Sequence, residues 1–233
     1  LDAVALSHWD VDHSGGLAAV LSRFSVGEFW ESGRAPGPGA ESTVAALARS
    51  RVPRRGLAAG QRLWLGHALI TVLGPGPDPS LSANDQSLVL RLDWRGLSLL
   101  LPGDLGPRGE ATLLERGAPL RVLALKVAHH GSRFSSTAPF LQAARPTLAV
   151  VSVGARNPFR HPSPEALARL AATGARVYRT DRDGAIILET DGLMLRVTAW
   201  ARGVTETIRL DDPEERFTGT WPDAPRPPVT RGS

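Results

Sequence analysis

Cysteine is absent, which excludes disulfides, thiolate metal ligands and a cysteine nucleophile, and leaves imidazole and carboxylate as the side chains able to hold a metal. Lysine is nearly absent too. Lys126 stands alone among 27 basic residues, and the rest are arginine. The net charge is only +4, and no run of five or six basic residues occurs, so composition permits a polyanionic partner without demanding one. Aromatic residues make up 6%, and the six tryptophans are scattered as packing residues rather than arranged as a base-stacking platform. No uncharged apolar run approaches the roughly 18 residues of a membrane-crossing helix, and no signal peptide opens the chain. With 42% hydrophobic and 21% charged residues over 233 positions, disordered and low-complexity classes are excluded. The length fits one domain with an appendage.

The chain starts at Leu1, without an initiator methionine and with a strand-like run from Leu1 to Leu6 already under way, so it reads as a piece of a longer protein. Short leucine-rich or β-branched runs alternate with alanine-rich helical patterns, which predicts a layered α/β or α+β domain. Strands are expected at 3–6, 26–30, 62–65, 69–73, 87–93, 97–101, 121–127, 147–153, 176–179, 184–189 and 194–198. Helices are expected at 15–23, 41–50, 108–116, 138–144 and 164–173, the last opened by Ser163 as N-cap and Pro164 at the first helical position. Residues 1–202 read as the domain and 203–233 as a C-terminal extension, disordered from Pro222 to Ser233.

Five of the six histidines fall in three clusters. The first, Ser7-His8-Trp9-Asp10-Val11-Asp12-His13-Ser14-Gly15-Gly16, lies where a strand ends and a helix begins. Four potential ligands, His8, Asp10, Asp12 and His13, occupy six positions, and such a turn can curl around a cation while Trp9 and Val11 point elsewhere. An apolar strand at 97–101 then delivers Asp104 at its C-terminal end, where α/β proteins place chemistry. A third strand ends in Ala128-His129-His130-Gly131-Ser132. Successive strand residues point to opposite faces, so one histidine is expected to bind metal, His130 being favoured, and His129 to meet substrate. His161 precedes Pro162 and a capped helix, where a loop role and a site role are both open. Asp181 and Asp183 read as turn residues before Gly184.

The order His-x-Asp-x-Asp-His-x-Gly-Gly, strand-Gly-Asp, His-His-Gly-Ser resembles the metallo-β-lactamase fold superfamily. More narrowly, Leu6 to His13, Asn84 to Leu90, Leu125 to Ser132, His161 to Glu165 and Thr180 to Ile186 resemble the C-terminal domain of the ComEC family of DNA-uptake channel proteins. The resemblance implies a four-layer αββα sandwich whose first strands precede Leu1. It assigns His8 and Asp10 to one metal, Asp12, His13 and His130 to a second, and Asp104 to both. Asp10 replaces a histidine usual in the superfamily. Asn84, followed by Ser87, stands where another metal-binding histidine is expected, which weakens the first site and turns both residues toward substrate. Three carboxylates and three imidazoles without sulfur form a hard donor set, which favours Mn²⁺ beside Zn²⁺ for one or two divalent ions.

The implied activity is metal-dependent hydrolysis of phosphodiester bonds in single-stranded DNA, degrading the non-transforming strand during natural transformation. Asp12 or Asp104 would orient the attacking water, and His129, Ser132 and His161 would contact the phosphate or protonate the leaving oxygen. Implied partners are the rest of the parent membrane channel, with its competence and OB-fold domains, and the implied location is a soluble domain on the extracytoplasmic side. A soluble hydrolase of a small ester, lactone or phosphodiester is the alternative, and a non-catalytic DNA-binding module a second one.

Overall fold

The computed structural model describes residues 1–210. Its centre is a seven-stranded sheet whose order follows from how its strands are joined. Strands β4 (Arg62–Leu65), β5 (Ala68–Gly74), β6 (Val89–Trp94) and β7 (Leu97–Leu101) follow one another antiparallel. Strands β8 (Ala124–Lys126), β9 (Leu148–Val151) and β10 (Arg176–Arg179) then add on in parallel beyond β7. Parallel neighbours need a crossover, and helices α4 (Pro107–Glu115), α5 (Ala138–Ala144) and α6 (Pro164–Ala172) supply it. Ser163 caps α6 by accepting from the Ala166 amide, as its sequence predicts.

Alternation along the strands sorts side chains to two faces. Leu100, Leu125, Ala149 and Val151 face one way and pack with Leu113, Phe140, Leu141 and Leu170 from the three helices. Ala124 and Leu148 face the other way, against Leu195, Val197 and Ala199. Those three belong to β12 (Met194–Ala199), the middle of an antiparallel sheet with β11 (Ile186–Thr190) and β13 (Val204–Arg209). This sheet continues past residue 202, where the sequence reading ends the domain. The expected disorder from Pro222 to Ser233 lies outside the described residues.

A smaller parallel sheet of β1 (Ala3–Ala5), β2 (Glu28–Glu31) and β3 (Arg54–Gly56) covers the other half of that face. Its Trp30 packs with Ile70, Val72 and Leu90 of the large sheet and with Leu88 just before β6. Its opposite side, through Phe29, meets Leu21 and Leu47 of helices α2 (Leu17–Arg23) and α3 (Glu41–Ser50). The layers therefore run helix, sheet, sheet, helix, the sandwich that the family resemblance implies. Each fully buried leucine or phenylalanine contributes about 1.5–3 kcal/mol of transfer free energy, so the layers are held mainly by apolar area.

Local corrections have physical reasons. The helix expected at 15–23 begins earlier, as a single turn α1 (Val11–Ser14), and restarts as α2 after Gly15 and Gly16. Strand β3 was not foreseen: Arg54, Arg55 and Gly56 are exposed and carry no apolar alternation, and they form a strand because the edge of β2 is there to pair with. Asp181 and Asp183 are turn residues, as expected. Arg179 donates to both oxygens of Asp181, and Asp183 accepts from the Arg179 amide, all within a short helical turn α7 (Thr180–Asp183).

Candidate metal centre

The ends of β1, β7, β8, β9 and β10 open toward one edge of the sandwich. Parallel register sets what meets there. Leu99 pairs with Ala124 and Leu100 with Leu125, and the same offset carried past the strand ends brings Gly103 and Asp104 alongside Ala128 and His129. The His129 amide accordingly donates to the Gly103 carbonyl at 3.2 Å. Gly103 has φ +62, and a Cβ on it would lie 2.8 Å from Ser7 Cβ and 2.9 Å from Ser87 Cβ, so only glycine lets the three loops close.

Asp104 is the hub. It is 3% exposed; its Oδ1 lies 3.1 Å from His13 Nε2, and its Oδ2 lies 3.5 Å from His130 Nε2, 3.8 Å from His129 Nε2 and 4.0 Å from His8 Nε2. Around it stand two groups of side chains. His8 Nε2 is 3.5 Å from Asp10 Oδ2. Asp12 Oδ2 lies 3.3 Å from His130 Nε2 and 3.6 Å from His13 Nε2. One donor atom from each of Asp12, His13, Asp104 and His130 falls within 4.8 Å of the others, which makes this quartet a candidate cation site.

The donors are oriented from behind. His130 Nδ1 donates to the Ser152 carbonyl at 2.7 Å; a carbonyl only accepts, so Nε2 is the nitrogen left to face the cluster. Ser7 Oγ lies 3.1 Å from His8 Nδ1 and 3.2 Å from His13 Nδ1, and a hydroxyl with two lone pairs can accept from both rings. His8 Nε2 and Asp104 Oδ1 are buried without a hydrogen-bond partner. His13 Nε2 lies 3.1 Å from that oxygen. Buried polar atoms without partners cost free energy unless something satisfies them, and a divalent cation fits that requirement.

Electrostatics agree with this arrangement. Burial would raise the Asp104 pKa, but the His13 ring, with the charges of His13, His130 and Lys126, pulls it well below the usual carboxylate range. Burial lowers the His8 pKa and His13 lowers it further, against the pull of Asp104, Asp10 and Asp12, which keeps the ring neutral. The only lysine lies beneath Asp104, with Nζ 3.5 Å from the Gly103 carbonyl and 3.4 Å from the Val127 carbonyl. Burial lowers its pKa, and Asp104 and Asp12 oppose that.

Not every residue stands as the sequence suggests. His129 and His130 do not alternate as strand residues; they follow β8 in a tight turn with φ +49 and +53, and both rings turn toward Asp104. Ser87 is fully buried, and its Oγ accepts from the Asp104 amide at 3.2 Å, so it positions the carboxylate. Asn84 contributes its carbonyl to the preceding turn, accepting from the Ser87 amide. Ser132 is buried in the turn after His130, its amide bonded to the His129 carbonyl. His161 sits edge-on to His129, ring centroids 5.8 Å apart, and burial together with His129 and His130 lowers its pKa. His67 is exposed in the β4–β5 turn, away from the cluster. Ser7 and Lys126 were missed, although one precedes His8 and the other is a unique residue type four positions before His130.

Comparison with known proteins agrees with the geometry. The family model described as the metallo-beta-lactamase superfamily matches residues 1–155. ComE operon protein 3 of Bacillus subtilis is 34% identical over 188 residues, covering 80% of this chain and 24% of its own length. Competence protein ComA of Neisseria gonorrhoeae is 34% identical over 193 residues, with 80% and 25% covered. The chain thus spans about a quarter of the length of these relatives. Among solved structures, CmlA, a diiron beta-hydroxylase from Streptomyces venezuelae, superposes with TM-score 0.53 at 14% identity over 90% of this chain and 45% of that one, a likeness of fold alone. The chain belongs to the metallo-beta-lactamase superfamily and is similar over most of its length to competence proteins of the ComEC family.

Proposed function

We propose that this domain is a divalent-metal-dependent phosphodiesterase that cleaves single-stranded DNA, degrading the strand that is not imported during natural transformation. In this reading it is a domain of a DNA-uptake membrane channel, on the extracytoplasmic side. Among the described residues no helix is long and apolar enough to cross a membrane. The observation that carries the reading is the convergence of two histidine clusters on the buried Asp104.

In this proposal His8 and Asp10 hold one ion, Asp12, His13 and His130 hold another, and Asp104 serves both. The all-nitrogen-and-oxygen set favours Mn²⁺ over a structural zinc, with Zn²⁺ the alternative. A divalent ion here supplies Lewis acidity toward a phosphate oxygen and makes water a better nucleophile near neutral pH. The protein does the rest. Asp12, more than half exposed at the mouth of the cluster, or Asp104 orients the attacking water. His129 and His161, one ring edge-on to the other, contact the phosphate and protonate the leaving oxygen, with Ser132 holding the turn that carries His129.

Single-turnover cleavage of a labelled single-stranded oligonucleotide tests this, with Mn²⁺, Zn²⁺ or EDTA. Cleavage with Mn²⁺ that disappears in EDTA and in Asp104→Ala is expected. Tight, metal-independent binding without turnover would overturn it in favour of a DNA-binding module.

A further inference from the structure

A cavity of about 350 Å³ opens directly off the metal cluster, lined by Asp12, His130, Val153, Asn157, Phe159 and His161. That volume lies at the lower end of ordinary ligand clefts. Asp12 and His130 belong to the cluster, so whatever occupies the cavity also touches the reacting centre.

On the far wall Phe159 is 76% exposed, its ring stacked on His161 with centroids 5.9 Å apart and planes 21° from parallel. Inward of this stack the rings meet edge-on, His161 with His129 at 5.8 Å and His129 with His130 at 6.4 Å. The loop that carries Phe159 is braced. Asn157 Nδ2 donates to the Gly154 and His161 carbonyls at 2.9 and 2.8 Å, and Asn157 Oδ1 accepts from the His161 amide at 2.8 Å. A large aromatic face is therefore held in water, at fixed distance from the cluster, with the exposed Arg156 and Arg160 on the same loop.

We propose that this cavity is a nucleobase subsite, in which the base adjoining the scissile phosphate stacks on the open face of Phe159 while Arg156 and Arg160 meet neighbouring phosphates. The proposal rests on the nuclease reading and deepens it. Every base has a π-face, so stacking is sequence-tolerant. The one side-chain amide on the loop, Asn157, spends both its N–H donors and an oxygen lone pair on backbone, so its hydrogen-bond donors are not offered to a base edge. Recognition should follow stacking area, purines above pyrimidines, rather than hydrogen-bond pattern.

The test uses the full chain with Mn²⁺ and a single-stranded oligonucleotide made uncleavable by phosphorothioate linkages, with 2-aminopurine placed at successive positions. Binding should quench fluorescence strongly at one position. Phe159→Ala should abolish that quench and weaken binding about tenfold, and Phe159→Trp should restore both. Phe159 is exposed, so neither substitution disturbs the core. Absence of position-specific quenching, or equal affinity of wild type and Phe159→Ala, overturns the subsite. Cleavage of an ordinary oligonucleotide by the wild-type chain is scored separately. Cleavage without position-specific quenching sinks the subsite alone, whereas quenching lost in Phe159→Ala with no cleavage keeps the subsite and sinks the nuclease.

Discussion

The Nε2 atoms of His13 and His130 stand 3.2 Å apart, although 117 residues separate them in the chain. His130 Nδ1 donates to the Ser152 carbonyl, which leaves Nε2 as the nitrogen placed to bind a cation. With the Asp104 and Asp12 carboxylates alongside, the pair is arranged to share a cation. Adding Mn²⁺ or Zn²⁺ is expected to raise the melting temperature, corresponding to about 2.7 kcal/mol at a hundredfold excess over Kd. EDTA should reverse the shift, and Asp104→Asn should abolish it. An equal shift in Asp104→Asn, measured by differential scanning fluorimetry, would place the ion elsewhere.

Ser7 connects the two histidines of the first motif through one hydroxyl. Ser7→Ala frees both rings to rotate and to change tautomer, which is expected to weaken metal binding about 10- to 100-fold with little loss of stability. Ser7→Thr keeps the hydroxyl and should bind nearly as well. Calorimetric titration of Zn²⁺ into the three proteins decides this, and unchanged affinity in the alanine variant would rule out an orienting role.

Gly103 and Gly117 share φ +62, yet their surroundings differ. A Cβ at Gly103 meets Ser7 and Ser87, whereas one at Gly117 meets nothing within 4 Å. Gly117→Ala should therefore cost only the backbone strain, about 1 kcal/mol. Gly103→Ala should cost at least about 2 kcal/mol and reduce metal affinity, because Ser7 and Ser87 must move. Urea denaturation compares them, and equal losses would mean that the three loops do not pack as described.

Asp181 gives a pH dependence remote from the metal cluster. Hydrogen bonds from Arg179 lower its pKa below the ordinary 3.8, against burial, and the guanidinium charge lowers it further. A carboxyl whose pKa falls on folding contributes stability that is present above the unfolded value and lost as pH falls through the folded one. Wild type should thus exceed Asp181→Asn by about 1 kcal/mol at pH 7, and the gap should close as pH drops below 3.8. A gap that stays constant down to pH 2 would assign the difference to packing instead.

Much of this was legible in the residues themselves. Four donors in six positions from His8 to His13 state a local purpose, because strand end, turn and helix start lie within one short segment. Asp104 and the His129–His130 pair each follow an apolar run, so strand ends could be read directly. Strand β3 could not, since its exposed residues carry no pattern and pair only because β2 offers an edge.

The amino-acid sequence by itself determined the donor types, their order and the layered fold that alternating apolar strands require. Tertiary structure decided which donors meet. The register that places His129 beside Gly103, the left-handed turn that swings both histidines toward one carboxylate, and the hydroxyl of Ser7 behind two rings depend on contacts distant in sequence. Phe159 makes the same point from the other direction. Nothing in its neighbours marks it, and it matters because the chain folds its exposed ring to the edge of a cavity that begins at His130. Periodicity encodes which face of an element is buried, but only packing fixes where two elements end relative to one another.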